Sequence, residues 1–175
     1  MRVVTVFAGS NMKPPMRHRR AATALGIALA RAGYAVRTGA GASPSLMGLV
    51  VDGAREAGGR VEGVILDLFL REGHPTLPTR VERTMAERKK ALVKETVGLI
   101  VLPGGFGTLD ELFEVLVLHQ IRVYRGPVIV LNVDGYFASI RAFIRRARKD
   151  GYLRARDLRR LSVVRSVRGV MRLLG

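Results

Sequence analysis

The residues best suited to ligand binding lie in one glycine-rich segment, Pro103-Gly104-Gly105-Phe106-Gly107-Thr108. A continuous apolar run over residues 97–102 precedes it and predicts a strand buried on both faces, and a helical pattern over residues 109–123 follows it. Glycine lets a backbone approach a ligand closely, and the free N–H groups at the start of a helix attract anions. The segment therefore predicts a phosphate cradle formed by its backbone, with the Thr108 hydroxyl as one more donor.

Two other nucleotide-binding motifs do not fit this sequence. A Walker loop needs Gly-Lys-Ser/Thr, which the chain lacks. A dinucleotide fingerprint would follow the first strand, where only Gly9-Ser10 stands, and an NAD site would need an acid near the end of the second strand, where the chain has Arg37. The glycine segment thus indicates a phosphate site of another kind, although such a loop can also be purely structural.

Glu111 admits two interpretations. The segment from Thr108 to Glu111 matches a capping box, in which Thr is the N-cap and Glu is the third helical residue. Glu111 can equally serve as a catalytic carboxylate beside the phosphate site, and the residues alone leave both possibilities open.

The helix that follows the glycine-rich segment is apolar on nearly every side and must be covered all round. We therefore expect part of it to form an interface in a homodimer or a larger homo-oligomer.

Arg88 lies in a polar helix predicted over residues 79–95. At 100° per residue it shares a stripe with the apolar side chains of Val81, Met85 and Leu92, whereas Lys89 points away. A cation in an apolar stripe needs an anionic partner. That partner is either a structural carboxylate (Glu87, Asp110 or Glu95) or the phosphate or ribose of a bound ligand.

Short apolar runs alternate with helical patterns along the chain, which is typical of βαβ units and a parallel sheet. We predict one domain over residues 1–175 with an α/β, Rossmann-like, doubly wound, mainly parallel sheet and helices on both faces. The predicted strands span residues 3–8, 34–37, 60–66, 97–102, 127–132 and 161–164. The predicted helices span residues 16–32, 45–57, 79–95, 109–123 and 136–149, and a terminal helix follows.

The composition excludes several classes of protein. The chain has no cysteine, and its histidines (His18, His74 and His119) show no metal-binding spacing, so we expect neither disulfides nor a metal site. No apolar run reaches about 18 residues, and we expect a cytoplasmic protein that does not enter a membrane.

The net charge of the chain is +16, and residues 141–175 hold eleven Arg and one Lys against two Asp. We favour a solvated basic face over a nucleic-acid surface.

Taken together, these motifs resemble the LONELY GUY family of nucleoside 5′-monophosphate phosphoribohydrolases, whose members have often been described as lysine decarboxylases. The most specific match is residues 103–111 against the pattern PGGxGTxxE. Arg88-Lys89 matches an Arg-Lys pair upstream, Leu46-Met47-Gly48 matches an LMG motif, and Asn132-Val-Asp-Gly-Tyr136 matches the segment after the fifth strand. The resemblance extends over nearly the whole chain.

The resemblance implies hydrolysis of the N-glycosidic bond of AMP-like nucleotides, including cytokinin riboside monophosphates, without a cofactor or a metal. It implies Arg88 and Glu111 as the catalytic pair, because a carboxylate can stabilise an oxocarbenium-like state and position water. The nucleotide-binding residues that we expect are Gly9, Ser10, Met47, Lys89, Gly104, Gly105, Gly107 and Thr108.

Two departures from the family pattern concern the surroundings of the site. The loop before Leu46 reads Gly39-Ala-Gly-Ala-Ser-Pro-Ser45 instead of the usual GGGxxG, and Leu118 replaces the Trp of a WxQLG segment. The resemblance therefore does not specify the base. A binding-only relative, such as a molybdenum-cofactor carrier, is the alternative function, and the presence of both Arg88 and Glu111 favours the enzyme.

Overall fold

A computed structural model describes residues 2–158 and 161–175 and contains a seven-stranded sheet in which every strand pair is parallel. The strands are β1 (Val3–Phe7), β2 (Ala35–Thr38), β3 (Val61–Leu66), β4 (Thr79–Glu82), β5 (Thr96–Val101), β6 (Val128–Leu131) and β7 (Leu161–Val164). The helices are α1 (Met16–Arg31), α2 (Leu46–Glu56), α3 (Met85–Val93), α4 (Phe106–Gln120), α5 (Ala138–Lys149) and α6 (Val167–Leu174).

Helices cover both faces of this sheet, as predicted. On one face, α1, α2 and α6 pack over alternate strand residues such as Val4, Val36 and Ile100. On the other face, α3, α4 and the start of α5 pack over the intervening residues, including Leu99 and Val101. Because both faces are buried, the central strands are mostly apolar, with Thr5 in β1 and Arg37 in β2 among the exceptions. The prediction of a Rossmann-like, doubly wound fold is therefore confirmed.

The strand order is β4-β3-β2-β1-β5-β6-β7, so the chain moves outward from β1 in one direction and from β5 in the other. The order of the strands thus reverses between β1 and β5, and the loops that follow these two strands lie side by side at the carboxyl edge of the sheet. Open α/β sheets bind ligands at such a switch point. Both Gly9 and the glycine-rich segment therefore lie where the fold favours a ligand site.

The predicted helix over residues 79–95 is wrong in its first third. Thr79–Glu82 forms the edge strand β4, which pairs with β3, and α3 begins only at Met85. Thr84 is the N-cap of α3, and its side chain and that of Glu87 form a reciprocal capping box. This capping box stabilises the helix start at Met85 and separates α3 from the strand before it.

Within residues 2–158 and 161–175, no helix is both long and apolar enough to cross a bilayer.

Candidate active site at the carboxyl edge of the sheet

The glycine-rich segment connects β5 to α4 directly at the switch point. The Gly9 N–H donates to the Pro103 carbonyl at 2.9 Å, which joins the ends of β1 and β5. A side chain at Gly9 would come within 3.1 Å of the Gly104 Cα, so the two backbones need glycine in order to lie this close. Ser10 is exposed beside this contact. Two of the predicted binding segments are thus brought together.

α4 begins at Phe106, with Gly105 as its N-cap and no side chain capping its N–H groups. The first backbone N–H groups of a helix have no intrahelical acceptor, and a helix start is electropositive. A Cβ atom placed at Gly105 or Gly107 would meet no neighbouring atom within 4 Å, so the backbone is open there. The helix start is therefore uncapped and open, and its binding of a phosphate stays a prediction.

The capping-box interpretation of Thr108 and Glu111 is wrong. Thr108 lies in the first turn of α4, because the helix starts three residues earlier than predicted, and Glu111 lies one turn further along. The Thr108 side chain is buried beneath Gly104, where a Cβ atom would lie only 2.1 Å from its hydroxyl oxygen. Its hydroxyl therefore supports the loop from below.

Glu111 pairs with Arg88 across the interface of α4 and α3. The Arg88 Nη1 donates to Glu111 Oε1 at 3.0 Å, and only 13% and 9% of the two side chains are exposed. The Arg88 Nε also donates to the Val64 carbonyl at 3.2 Å, at the end of β3. The anionic partner that Arg88 was predicted to need is thus Glu111, rather than any of the three structural candidates.

Burial raises the pKa of the Glu111 carboxyl from its usual 4.5 to about 7, and the positive charge of Arg88 offsets only part of that effect. A carboxyl with a pKa near neutral can hold or release a proton at physiological pH, which is what a general acid or base requires. Strongly shifted pKa values of this kind cluster at functional sites. Glu111 is therefore electrostatically suited to proton transfer.

Gly39 lies between the Arg88 guanidinium and the Met47 side chain. A Cβ atom at Gly39 would lie 2.3 Å from Arg88 Nη2 and 3.1 Å from Met47 Sδ, so only glycine leaves this space. Met47 belongs to the first turn of α2 and is buried in the core. It lies near Arg88 only through Gly39, whose position beside Arg88 the sequence did not reveal.

Lys89 lies at the rim of the Arg88–Glu111 pair, and its ammonium group contacts carboxylates of α4. Its Nζ lies 2.5 Å from Glu114 Oε2 and 3.3 Å from Asp110 Oδ2. These hydrogen bonds raise the pKa of the Lys89 side chain. In the structure, Lys89 thus links α3 to α4, and its predicted contact with a nucleotide remains a prediction.

Tyr136 contacts the glycine-rich segment but was not among the predicted site residues. Its hydroxyl donates to the Gly104 carbonyl at 2.8 Å, and its ring packs edge-on against His18 and Phe137. The only available signal was its place in the Asn132–Tyr136 motif. Tyr136 thus holds the carbonyl group of Gly104 in place.

A cavity of about 170 Å³ lies away from these residues, between α4, α5 and the edge of the sheet. It contains none of the predicted site residues and is lined by Leu112, Val130, Phe137, Ile140, Arg141, Ile144, Arg145, Leu158, Leu161 and Val163. In the part of the chain that the structure describes, no group of three His, Asp or Glu side chains is placed to hold a metal ion.

Comparison with known proteins gives consistent matches. Residues 47–174 match the family model described as possible lysine decarboxylase. The chain is 40% identical over 155 residues to the probable cytokinin riboside 5′-monophosphate phosphoribohydrolase LOGL5 of Oryza sativa subsp. japonica, covering 87% of this chain and 63% of that relative. It is 37% identical over 165 residues to the cytokinin riboside 5′-monophosphate phosphoribohydrolase LOG of the same plant, covering 93% and 67%.

Among solved structures, the molybdenum cofactor binding protein from Rippkaea orientalis superposes with a TM-score of 0.75. The two chains are 22% identical, and the superposition covers 99% of this chain and 94% of that one. At that identity the likeness supports the fold alone. The chain spans about two thirds of the length of the two plant relatives.

Proposed function

Since the chain belongs to the LONELY GUY family, also described as possible lysine decarboxylases, we propose that it hydrolyses the N-glycosidic bond of nucleoside 5′-monophosphates. The products are the free base and ribose 5-phosphate. AMP and cytokinin riboside monophosphates are the proposed substrate class, and the plant relatives bear the name cytokinin riboside 5′-monophosphate phosphoribohydrolase.

The observation that carries this proposal is the buried Arg88–Glu111 pair beside an uncapped helix start. The phosphate binds to the N–H groups at the start of α4, which places the ribose toward the pair. As the bond from C1′ to the base nitrogen breaks, its electrons pass to the base and positive charge develops on the sugar. The Glu111 carboxylate stabilises that charge and accepts a proton from the water whose oxygen bonds to C1′. The departing base takes a proton from solvent, and Glu111 then releases its own proton to solvent.

Arg88 holds Glu111 in place and favours its ionised form. Its two hydrogen bonds, to Glu111 and to the Val64 carbonyl, fix the guanidinium in one orientation. A general base must be ionised before it can accept a proton, and Arg88 works against the effect of burial on the Glu111 pKa. The division of roles is therefore positioning and charge by Arg88, and proton transfer by Glu111.

The direct test is to incubate the protein with AMP and with adenosine and to measure free adenine. We expect adenine from AMP and little from adenosine, because the cradle recognises phosphate. Binding of the two compounds to the Glu111→Gln variant, measured by calorimetry, should differ at least about tenfold, since a single charge-assisted hydrogen bond contributes about 1.5–3 kcal/mol. Equal affinity for both compounds would show that the loop does not bind phosphate.

The Gly105→Val variant tests the cradle itself. The side chain fills the open space above the helix start, so AMP binding should weaken toward that of adenosine while adenosine binding changes little. Adenosine is the internal control for damage to the rest of the site. A variant that keeps the full preference for AMP would place the phosphate elsewhere.

We also propose that two copies associate through the exposed side of α4. Phe113, Val117 and Ile121 recur at intervals of four residues and therefore share one side of the helix, and the last two are 53% and 60% exposed. Contiguous exposed apolar surface of this kind marks interaction sites. Light scattering at micromolar concentration should give about twice the 19.2 kDa mass of the chain, and a stable monomer would contradict the proposal.

A further inference from the structure

Three polar side chains outside the Arg88–Glu111 pair form a hydrogen-bonded row. The Ser43 hydroxyl donates to Asp52 Oδ2, and His74 Nε2 lies 3.0 Å from Asp52 Oδ1. Ser43 lies in the loop of residues 39–45 between β2 and α2, Asp52 lies in α2, and His74 precedes β4. Because the carboxylate stands between the other two groups, the imidazole does not touch the serine, and the row is not a hydrolytic triad.

The backbone adds two links between the same segments. The His74 N–H donates to the Ala40 carbonyl at 2.8 Å, and Gly41 and Gly73 form an isolated antiparallel bridge. The loop of residues 39–45 is therefore attached to residues 73–74 by main chain and, through Asp52, by side chains.

Ala40 shows why the loop needs this attachment. It is fully buried with a φ of 63°, a left-handed conformation that is unfavourable for a residue with a Cβ atom. Such a conformation persists only where its surroundings enforce it. The Ala40 N–H donates to the Thr38 hydroxyl at 3.1 Å, and its carbonyl accepts from His74, so both of its polar groups are held.

Arg88 depends on the residue just before Ala40. The guanidinium lies directly against the Gly39 backbone, where a Cβ atom would be 2.3 Å from Nη2. A loop that moved by a few tenths of an ångström would therefore change the surface beneath Arg88. Neither Asp52 nor His74 is among the groups that Arg88 or Glu111 contacts by hydrogen bond or ion pair.

We propose that Asp52 and His74 are positioning residues for catalysis. By holding the loop of residues 39–45 against residues 73–74, they keep Gly39 where it supports Arg88 in its contact with Glu111. The inference rests on the proposed hydrolysis for its kinetic test, and on the orientation of Arg88 for a second test that needs no activity.

The variants are Asp52→Ala, His74→Ala and their combination, with Arg55→Ala as the matched control. Arg55 also joins α2 to the segment before β4, through the Thr76 hydroxyl and the Thr76 carbonyl at 2.8 Å. These two hydrogen bonds of Arg55 involve Thr76 only and do not attach the loop of residues 39–45. Comparison with Arg55→Ala therefore separates loop positioning from the general attachment of α2.

For AMP hydrolysis we expect each single variant to lower kcat at least about tenfold, the effect of about 1.4 kcal/mol in the transition state, with KM changed less than about threefold. The phosphate cradle lies on the other side of the switch point and stays intact. The double variant should be no slower than the slower single variant, because the effects of substitutions within one hydrogen-bonded network are not additive. Arg55→Ala should retain the kcat of the unsubstituted chain.

The second measurement follows the Arg88 Nε–H signal by NMR, with a melting curve for each variant. In the unsubstituted chain this N–H donates to Val64 and should exchange slowly, and in Asp52→Ala and His74→Ala it should exchange at least about tenfold faster. If the chain hydrolyses no AMP, the proposed function fails while this result still tests the positioning role. Unchanged kcat and exchange in Asp52→Ala and His74→Ala, or equal losses in Arg55→Ala, would overturn the inference.

Discussion

Replacing Glu111 by Gln removes the charge of a carboxyl that the folded chain prefers to keep protonated. Burial raises its pKa from 4.5 to about 7, so the folded state binds this proton more tightly than the unfolded chain does. The stability that this group contributes is therefore full below about pH 4.5 and is lost as the pH rises to about 7. The difference corresponds to at most about 3 kcal/mol at pH 8.

Gln resembles the protonated carboxyl in shape, and its amide oxygen can still accept from Arg88. Thermal unfolding should therefore coincide for Glu111→Gln and the unsubstituted chain near pH 4.5, and the variant should be more stable at pH 8. For a chain of this length, about 3 kcal/mol corresponds to a gain in Tm of up to about 10 °C. Turnover of AMP should fall at least about a hundredfold, because the general base is lost.

Glu87→Gln is the matched control, since Glu87 lies beside Arg88 in α3. Hydrogen bonds from the Thr84 side chain and backbone lower the pKa of the Glu87 carboxyl, so its replacement should bring no gain in stability at pH 8. Gln also fits a capping box, and turnover should stay unchanged. A Glu111→Gln variant that melts below the unsubstituted chain at pH 8 would refute the argument from burial, and one with full turnover would refute the catalytic role.

Three further predictions concern the pair, the core and the interface. Arg88→Gln removes the positive charge that favours ionised Glu111, so the acid limb of the pH–rate profile of the remaining activity should move to higher pH. An unmoved acid limb would count against Glu111 as the general base. Gly26→Ala places a Cβ atom 2.1 Å from the Val50 carbonyl, so α1 and α2 must separate, and denaturant unfolding should show a loss of at least about 1–3 kcal/mol. A stability within 0.5 kcal/mol of the original, roughly the scale of a harmless surface change, would contradict that contact. Val117→Glu should yield a monomer in light scattering, and a persistent dimer would locate the interface elsewhere.

The alternating pattern of the sequence predicts most of the sheet, and β7 has the predicted bounds. β4 was missed because it is an edge strand with only β3 beside it, and its residues Arg80 and Val81 are exposed. An edge strand has no need of the apolar residues that mark a central one. The capping box of Thr84 and Glu87 was the signal that could have placed the start of this helix at Met85 instead of at residue 79.

The sequence offers candidate residues for the site but does not specify their contacts. The stripe that pointed to an anionic partner for Arg88 is wrong in detail, since Val81 lies in β4 and Met85 is exposed, yet Arg88 does pair with a carboxylate. Thr108 and Glu111 match a capping box by spacing, but Gly105 starts the helix. The support of Arg88 by Gly39 depends on residues 49 positions apart, a separation that local patterns do not report.

The central position of β1 has a consequence for how the chain is made. β1 pairs with β2 on one side and with β5 on the other, about 90 residues later in the sequence. During synthesis, the edge of β1 that faces β5 stays open until Thr96–Val101 has left the ribosome, and an open apolar edge invites pairing with other chains. The contacts between Gly9 and Pro103 and between Arg88 and Glu111 also need residues that follow β5, so the candidate site forms only after this apolar edge is covered.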